Sequence, residues 1–134
     1  MEIFKLENVE LMWPFLYERN KLSGKYQVDL VNLNKEQVEA IEKTGVPVKE
    51  KEDKGFFVTC KSTHYEITPY DKNGDVINKE TKVGNGSRAD IVLKPYSWKS
   101  PTGQSGMSLG ISKLVVKDLN VYNPEPVSMD EDTL

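Results

Sequence analysis

The chain has 134 residues, one domain's worth and enough to bury a core without disulfides or metals. Hydrophobic residues make up 37% and charged residues 29%, and no apolar run approaches the roughly 18 residues of a membrane span. Net charge is -3, which argues against nucleic acid until its distribution is read: all 18 bases precede Pro124, while four of the 21 acids (Glu125, Asp130, Glu131, Asp132) follow it.

Residues 1–123 are therefore close to neutral and form the expected domain, and 124–134 read as a solvated acidic tail. A single cysteine, Cys60, rules out a disulfide framework and points to a reducing compartment, the cytoplasm. The mixed-charge start MEIFKLENVELMW does not fit a signal peptide.

In chain order, loose alternation from Glu2 to Leu11 predicts a first strand. Trp13, Pro14, Phe15, Leu16 and Tyr17 follow as an aromatic segment that plugs the barrel end, stacks on a ligand or makes a dimer contact. After a Ser23-Gly24 turn, Tyr26, Val28 and Leu30 alternate with Lys25, Gln27 and Asp29, the period-two pattern of a half-buried strand.

Asn34 to Thr44 is the one predicted helix. Asn34 is its N-cap, with Gln37 completing a capping box, and Leu33 and Val38 form a hydrophobic staple. Val38 and Ile41 supply its buried stripe, and Gly45 and Pro47 end it. The run KEKEDK, Lys49 to Lys54, reads as an exposed connector.

From Phe56 a strand puts Phe56, Val58 and Cys60 on a core face and Phe57, Thr59 and Lys61 on the other. Asn73-Gly74 marks a hairpin, and Gly84-Asn85-Gly86-Ser87 a tight turn. Ala89 to Lys99 is a strand, PTGQSG (101–106) a loop, and Met107 to Tyr122 a long last strand with a bulge near Gly110. The sum is mainly β: about five strands with one helix between early strands, a Greek-key barrel, with a β-sandwich as the alternative.

Footholds for catalysis are few. One His and one Cys make no usual zinc site, His64 on a strand reads as a surface or structural residue, and Cys60 reads as a core hydrophobe. The segment from Asp71 misplaces the glycine of a calcium loop and has Lys82 where a bidentate Glu is needed. No metal, no cofactor and no enzymatic activity are expected.

The informative segment is Lys94-Pro95-Tyr96-Ser97-Trp98-Lys99. In a strand, Lys94, Tyr96 and Trp98 share one face, with Lys99 adjacent. Flat rings beside cations are what sequence-tolerant binding of a single nucleic-acid strand requires, since bases stack on aromatics and Lys or Arg tracks phosphates. The competing reading puts Tyr96 and Trp98 in the core. Pro95 weakens it, and Ile91 and Leu93 already supply a core stripe. Phe57 and Lys61 would extend this surface, and Arg88 and Lys25 could lengthen a basic track.

Trp13-Pro14-Phe15-Leu16, Gly24-Lys25-Tyr26-Gln27-Val28-Asp29-Leu30, Phe56-Phe57-Val58-Thr59-Cys60, Gly84-Asn85-Gly86-Ser87 and Lys94-Pro95-Tyr96-Ser97-Trp98-Lys99 stand in this order before a long strand and an acidic tail. The chain thereby resembles the replication single-stranded DNA-binding proteins of short-tailed bacteriophages, over about Phe4 to Tyr122. That resemblance implies an OB-fold barrel that coats single-stranded DNA during phage replication and recombination in the host cytoplasm. It places Tyr96 and Trp98 on the binding surface and implies a homodimer.

The resemblance also implies a tail, here Asp130, Glu131, Asp132 and Leu134, that contacts phage replication proteins and competes with DNA for the basic face. This tail departs from the family in being short and in ending on Leu134 where the family has an aromatic residue. The alternative from another class is a protein-interaction or virion-structural β-domain whose exposed aromatics form a protein interface.

Overall fold

A computed structural model describes residues 3–62, 65–78, 81 and 83–120. Its elements are β1 (Phe4–Phe15), β2 (Tyr26–Val31), α1 (Lys35–Glu42), β3 (Lys49–Lys51), β4 (Gly55–Ser62), β5 (Pro69–Asp71), β6 (Arg88–Lys99) and β7 (Ser105–Asp118). They form one seven-stranded sheet in the order β3-β4-β2-β1-β6-β7-β5, which removes the sandwich alternative.

The expected count of about five strands is exceeded by two three-residue strands, β3 and β5, at the sheet's edges. KEKEDK is thus no mere connector: its first half pairs with β4. The five long strands run β4-β2-β1-β6-β7, all adjacent pairs antiparallel, and the sheet curls until β7 lies against β4.

Alternation decides what the curl encloses. Val9 and Leu11 on β1, Val28 and Leu30 on β2, Val58 and Cys60 on β4, Ala89, Ile91 and Leu93 on β6, and Leu109 and Leu114 on β7 are buried in one cluster, closed by Leu33 and Ile41. The helix stands where its signals put it. Asn34 accepts from the Gln37 N–H at 2.8 Å, the Gln37 side chain accepts from the Asn34 N–H at 3.0 Å, and Gly45 takes φ 90° just past the end. The bulge expected near Gly110 falls at Ser112, where the β6–β7 register shifts between Val92 and Leu93.

The aromatic segment at the end of β1 divides. Leu16 is buried and Tyr17 donates its hydroxyl to the Ile77 carbonyl at 2.6 Å, whereas Trp13 is 54% exposed and is no plug. Its backbone sits at φ 52°, a left-handed conformation costing a bulky L-residue on the order of 1–2 kcal/mol, and its N–H donates to Asn85 Oδ1 at 2.6 Å.

Cys60, on β4 opposite Val28, is fully buried in the core cluster, and burial, aided by the negative charge of Asp29, pushes its thiol from 9.0 up to about 12. A folded pKa above the unfolded one gives stability that is complete below pH 9.0 and lost as pH rises towards 12. Wild type is therefore expected to lose urea resistance over that alkaline range more steeply than Cys60→Ala, and its native thiol to resist iodoacetamide at neutral pH. Rapid native alkylation would contradict the burial.

Candidate nucleic-acid interface

Along β6 the side chains split by face. Ala89, Ile91, Leu93 and Pro95 point into the core, and Lys94, Tyr96 and Trp98 point out. Among the described residues, pairing with β1 ends at Phe4–Leu93, so beyond Leu93 the strand pairs only with β7. Pro95, which has no N–H to donate, sits in this half-free stretch. Ser100 to Gln104 turns the chain into β7, with the Gln104 carbonyl accepting from the Ser100 N–H at 2.7 Å.

The two rings have seats. Trp98 pairs with Gly106, and a Cβ on that glycine would lie 2.7 Å from Trp98 Cζ2 and 3.0 Å from Cε2. Gly110 lies beneath Tyr96 in the same way, its hypothetical Cβ 3.7 Å from Cε1. The rings thus lie against bare backbone with their outer surfaces to solvent, Tyr96 at 40% and Trp98 at 41% exposure. This settles the core reading against both rings. Gly106→Ala is expected to lift the indole, red-shift its emission and weaken any stacking on it, with little loss of stability because the ring can move. Gly110→Ala, in ordinary contact, leaves the ring in place. Identical spectra for the two variants would remove the seat from the account.

Charge is graded along the strand. Towards the start of β6, Asp90 takes Lys117 at 3.5 Å and Lys5 at 4.0 Å. Towards its end, Lys94 and Lys99 are exposed and make no ion pair among the described residues. Among the described residues, Lys94 is thus an unpaired cation on the face of the rings, and Lys99 one adjacent to Trp98 at the strand's end.

Other expected site residues stand elsewhere. Arg88, at the far end of β6, donates from Nε to Asn8 Oδ1 and from its terminal nitrogen to the Asn8 carbonyl, each at 2.8 Å, and lies 3.6 Å from Glu10. It clasps the β1 bulge, where Asn8 has φ 54°, and its fork is spent. Phe57 is also corrected: it is 5% exposed, with Lys54 Nζ 4.8 Å and Lys51 Nζ 5.8 Å from its ring centre. Phe56, expected in the core, is 44% exposed instead. It precedes Val58, where pairing with β2 begins, and stands opposite the exposed Glu50 of the short edge strand β3, so little apolar surface covers it.

Lys61 is exposed on β4 opposite Gln27, and Lys25 is half-buried just before β2. His64, Lys82 and the tail residues Asp130, Glu131, Asp132 and Leu134 lie outside the described residues. Sequence reasoning missed the Gly106 seat, which it placed in a loop, and β3. Among the described residues, no group of three or more His, Cys, Asp and Glu is placed to hold a metal, and no helix is long and apolar enough to cross a membrane.

No protein-family model and no curated protein matches the chain. Solved structures do. The single-stranded DNA-binding protein of bacteriophage Enc34 superposes with a TM-score of 0.68 at 14% identity, covering 94% of this chain and 87% of that one. The same protein in complex with single-stranded DNA gives 0.68 at 13% identity, covering 88% and 87%. The single-stranded DNA-binding protein gp2.5 of bacteriophage T7 gives 0.65 at 15% identity, covering 93% and 91%. At these identities the likeness is one of fold: the chain has the architecture of phage single-stranded DNA-binding proteins.

Proposed function

We propose that this chain binds single-stranded DNA without catalysis, and that it does so on the outer face of the β6–β7 hairpin. The observation that carries the reading is the pair of solvent-facing rings, Tyr96 and Trp98, seated over glycine-bearing backbone beside two lysines, Lys94 and Lys99, that make no ion pair among the described residues. Bases stack on the rings and the lysines neutralise phosphates. Lys61 and Lys25 extend the basic track; Arg88 and Phe57, tied up within the fold, do not. The shared fold supports the assignment, as one of the similar proteins is solved with single-stranded DNA.

The five long strands are read as an OB-type barrel. Among the described residues, none on the face presents a fixed fork of donors to base edges, so little sequence preference is expected, and the role is to coat exposed strands during phage DNA replication and recombination in the host cytoplasm. The acidic residues of 124–134 are a polyanion on the same chain, suited to compete with DNA and to recruit replication proteins.

Titration of the Trp13→Phe variant with oligothymidine tests the reading, because Trp98 is then its only tryptophan. Strong quenching is expected, with affinity falling as salt rises by a log–log slope of about -0.7 per phosphate neutralised. Removal of 124–134 tightens binding at low salt; unchanged affinity would remove the competing role from the tail. An oligonucleotide that leaves Trp98 fluorescence flat, tail or no tail, would sink the assignment of the hairpin.

A further inference from the structure

A strand sorts charges that a sequence mixes. Read along the chain, Lys49-Glu50-Lys51 is nearly neutral. Paired against β4, Lys49 stands opposite Phe57 and Glu50 opposite Phe56. Directly opposed residues share a face, and Phe57 alternates with the core residues Val58 and Cys60, so Lys49 and Lys51 take the outer face and Glu50 the other. Lys51 confirms the direction by reaching over the Phe57 ring at 5.8 Å. Both lysines are exposed, and neither makes an ion pair among the described residues.

Their position matters as much as their charge. β3 lies on the edge of β4 turned away from β2, the side on which β7 closes the curl. The chain leading into β3 touches the start of β7: a Cβ on Gly45 would lie 3.3 Å from Met107 Cγ. Met107 directly follows Gly106, the seat of Trp98. Lys49 is four positions beyond Gly45, a reach of at most about 14 Å. Of the acids nearby, Glu50 falls on the other face, Glu52 and Asp53 belong to the hairpin turn, and Asp29 is held by Lys54 at 2.6 Å.

We propose that β3 is the second stretch of the phosphate path, so that the DNA leaves the Tyr96–Trp98 platform and crosses the strands towards β3, with Lys49 and Lys51 each taking a phosphate. This rests on the platform reading and adds a direction to it. A short strand fills the platform alone; a longer one, within the ~4–16 nucleotides that one such domain covers, reaches β3.

The test measures labelled oligothymidines of about four and about twelve nucleotides by anisotropy, across salt, on the full chain carrying Trp13→Phe, with Trp98 quenching read separately. In Lys49→Ala/Lys51→Ala the twelve-mer is expected to lose about 1.4 of its log–log salt slope and on the order of tenfold in low-salt affinity. The four-mer, and the depth of Trp98 quenching at saturation, stay as they were. Glu50→Lys, which adds a cation to the wrong face, leaves the slope unchanged. A double variant that binds the twelve-mer with the wild-type slope overturns the path across β3, and so does Glu50→Lys raising the slope as the outer lysines do. Loss of the platform reading has a different signature, the absence of Trp98 quenching with either length, and the anisotropy slopes still judge β3.

Discussion

Trp98→Ala is expected to weaken oligothymidine binding by between about fivefold and about 150-fold, because one base stacked on an aromatic side chain is worth ~1–3 kcal/mol and 1.4 kcal/mol is about tenfold. The upper part of the range is favoured by the seat. The indole lies against the Gly106 backbone, so it is ordered before the base arrives and little rotamer entropy remains to be lost on binding. Trp98→Phe keeps a flat surface and retains much of the affinity. Fold stability changes little in either variant, since a ring 41% exposed on a hairpin contributes little to the core. Binding is checked by anisotropy of a labelled oligonucleotide, and oligomeric state by sedimentation. If Trp98→Ala binds DNA as wild type does and instead changes the oligomeric state, the rings serve a protein interface.

Period two was enough to put Tyr96 and Trp98 together on one face, because that rule is local to a strand. The capping box of Asn34 and Gln37 was legible for the same reason: both partners lie within one turn. What was not legible needed a partner far along the chain. Alternation divided Phe56 from Phe57 correctly, yet it could not say which lies covered; β2 starts pairing only at Val58, and Lys54 comes back over Phe57 from the turn. The balanced charge of KEKEDK hid a sorted strand because sorting requires the β4 register. Arg88 looked available until the β1 bulge brought Asn8 beneath it, and Gly106 looked like loop until Trp98 was laid upon it. Asp29 alternated as a surface residue and is buried.

That burial predicts a large loss of stability when its partner is removed. Asp29 sits on the outer face of β2 beneath the β3–β4 turn, its carboxylate accepting from Lys54 Nζ and from Thr59 Oγ1, each at 2.6 Å. Side-chain exposure is only 6% for Asp29 and 14% for Lys54, so the pair is largely out of water. Lys54→Ala leaves a buried carboxylate with one neutral donor and uncovers Phe57. The expected cost is about 3 kcal/mol, the lower end of the range for breaking a buried pair, because Lys54 keeps some contact with solvent. In urea the midpoint falls with little change in slope.

The cost comes from the orphaned charge rather than from the lost attraction, so Asp29→Leu combined with Lys54→Met restores most of the stability, the two changes being strongly non-additive. If Lys54→Ala alone shifts stability by less than about 1 kcal/mol, the turn is held by Phe57 packing and not by the ion pair. A restored double variant that also binds oligothymidine as wild type does would show that the pair serves to hold the β3–β4 hairpin in place, leaving the phosphates to the exposed lysines around it.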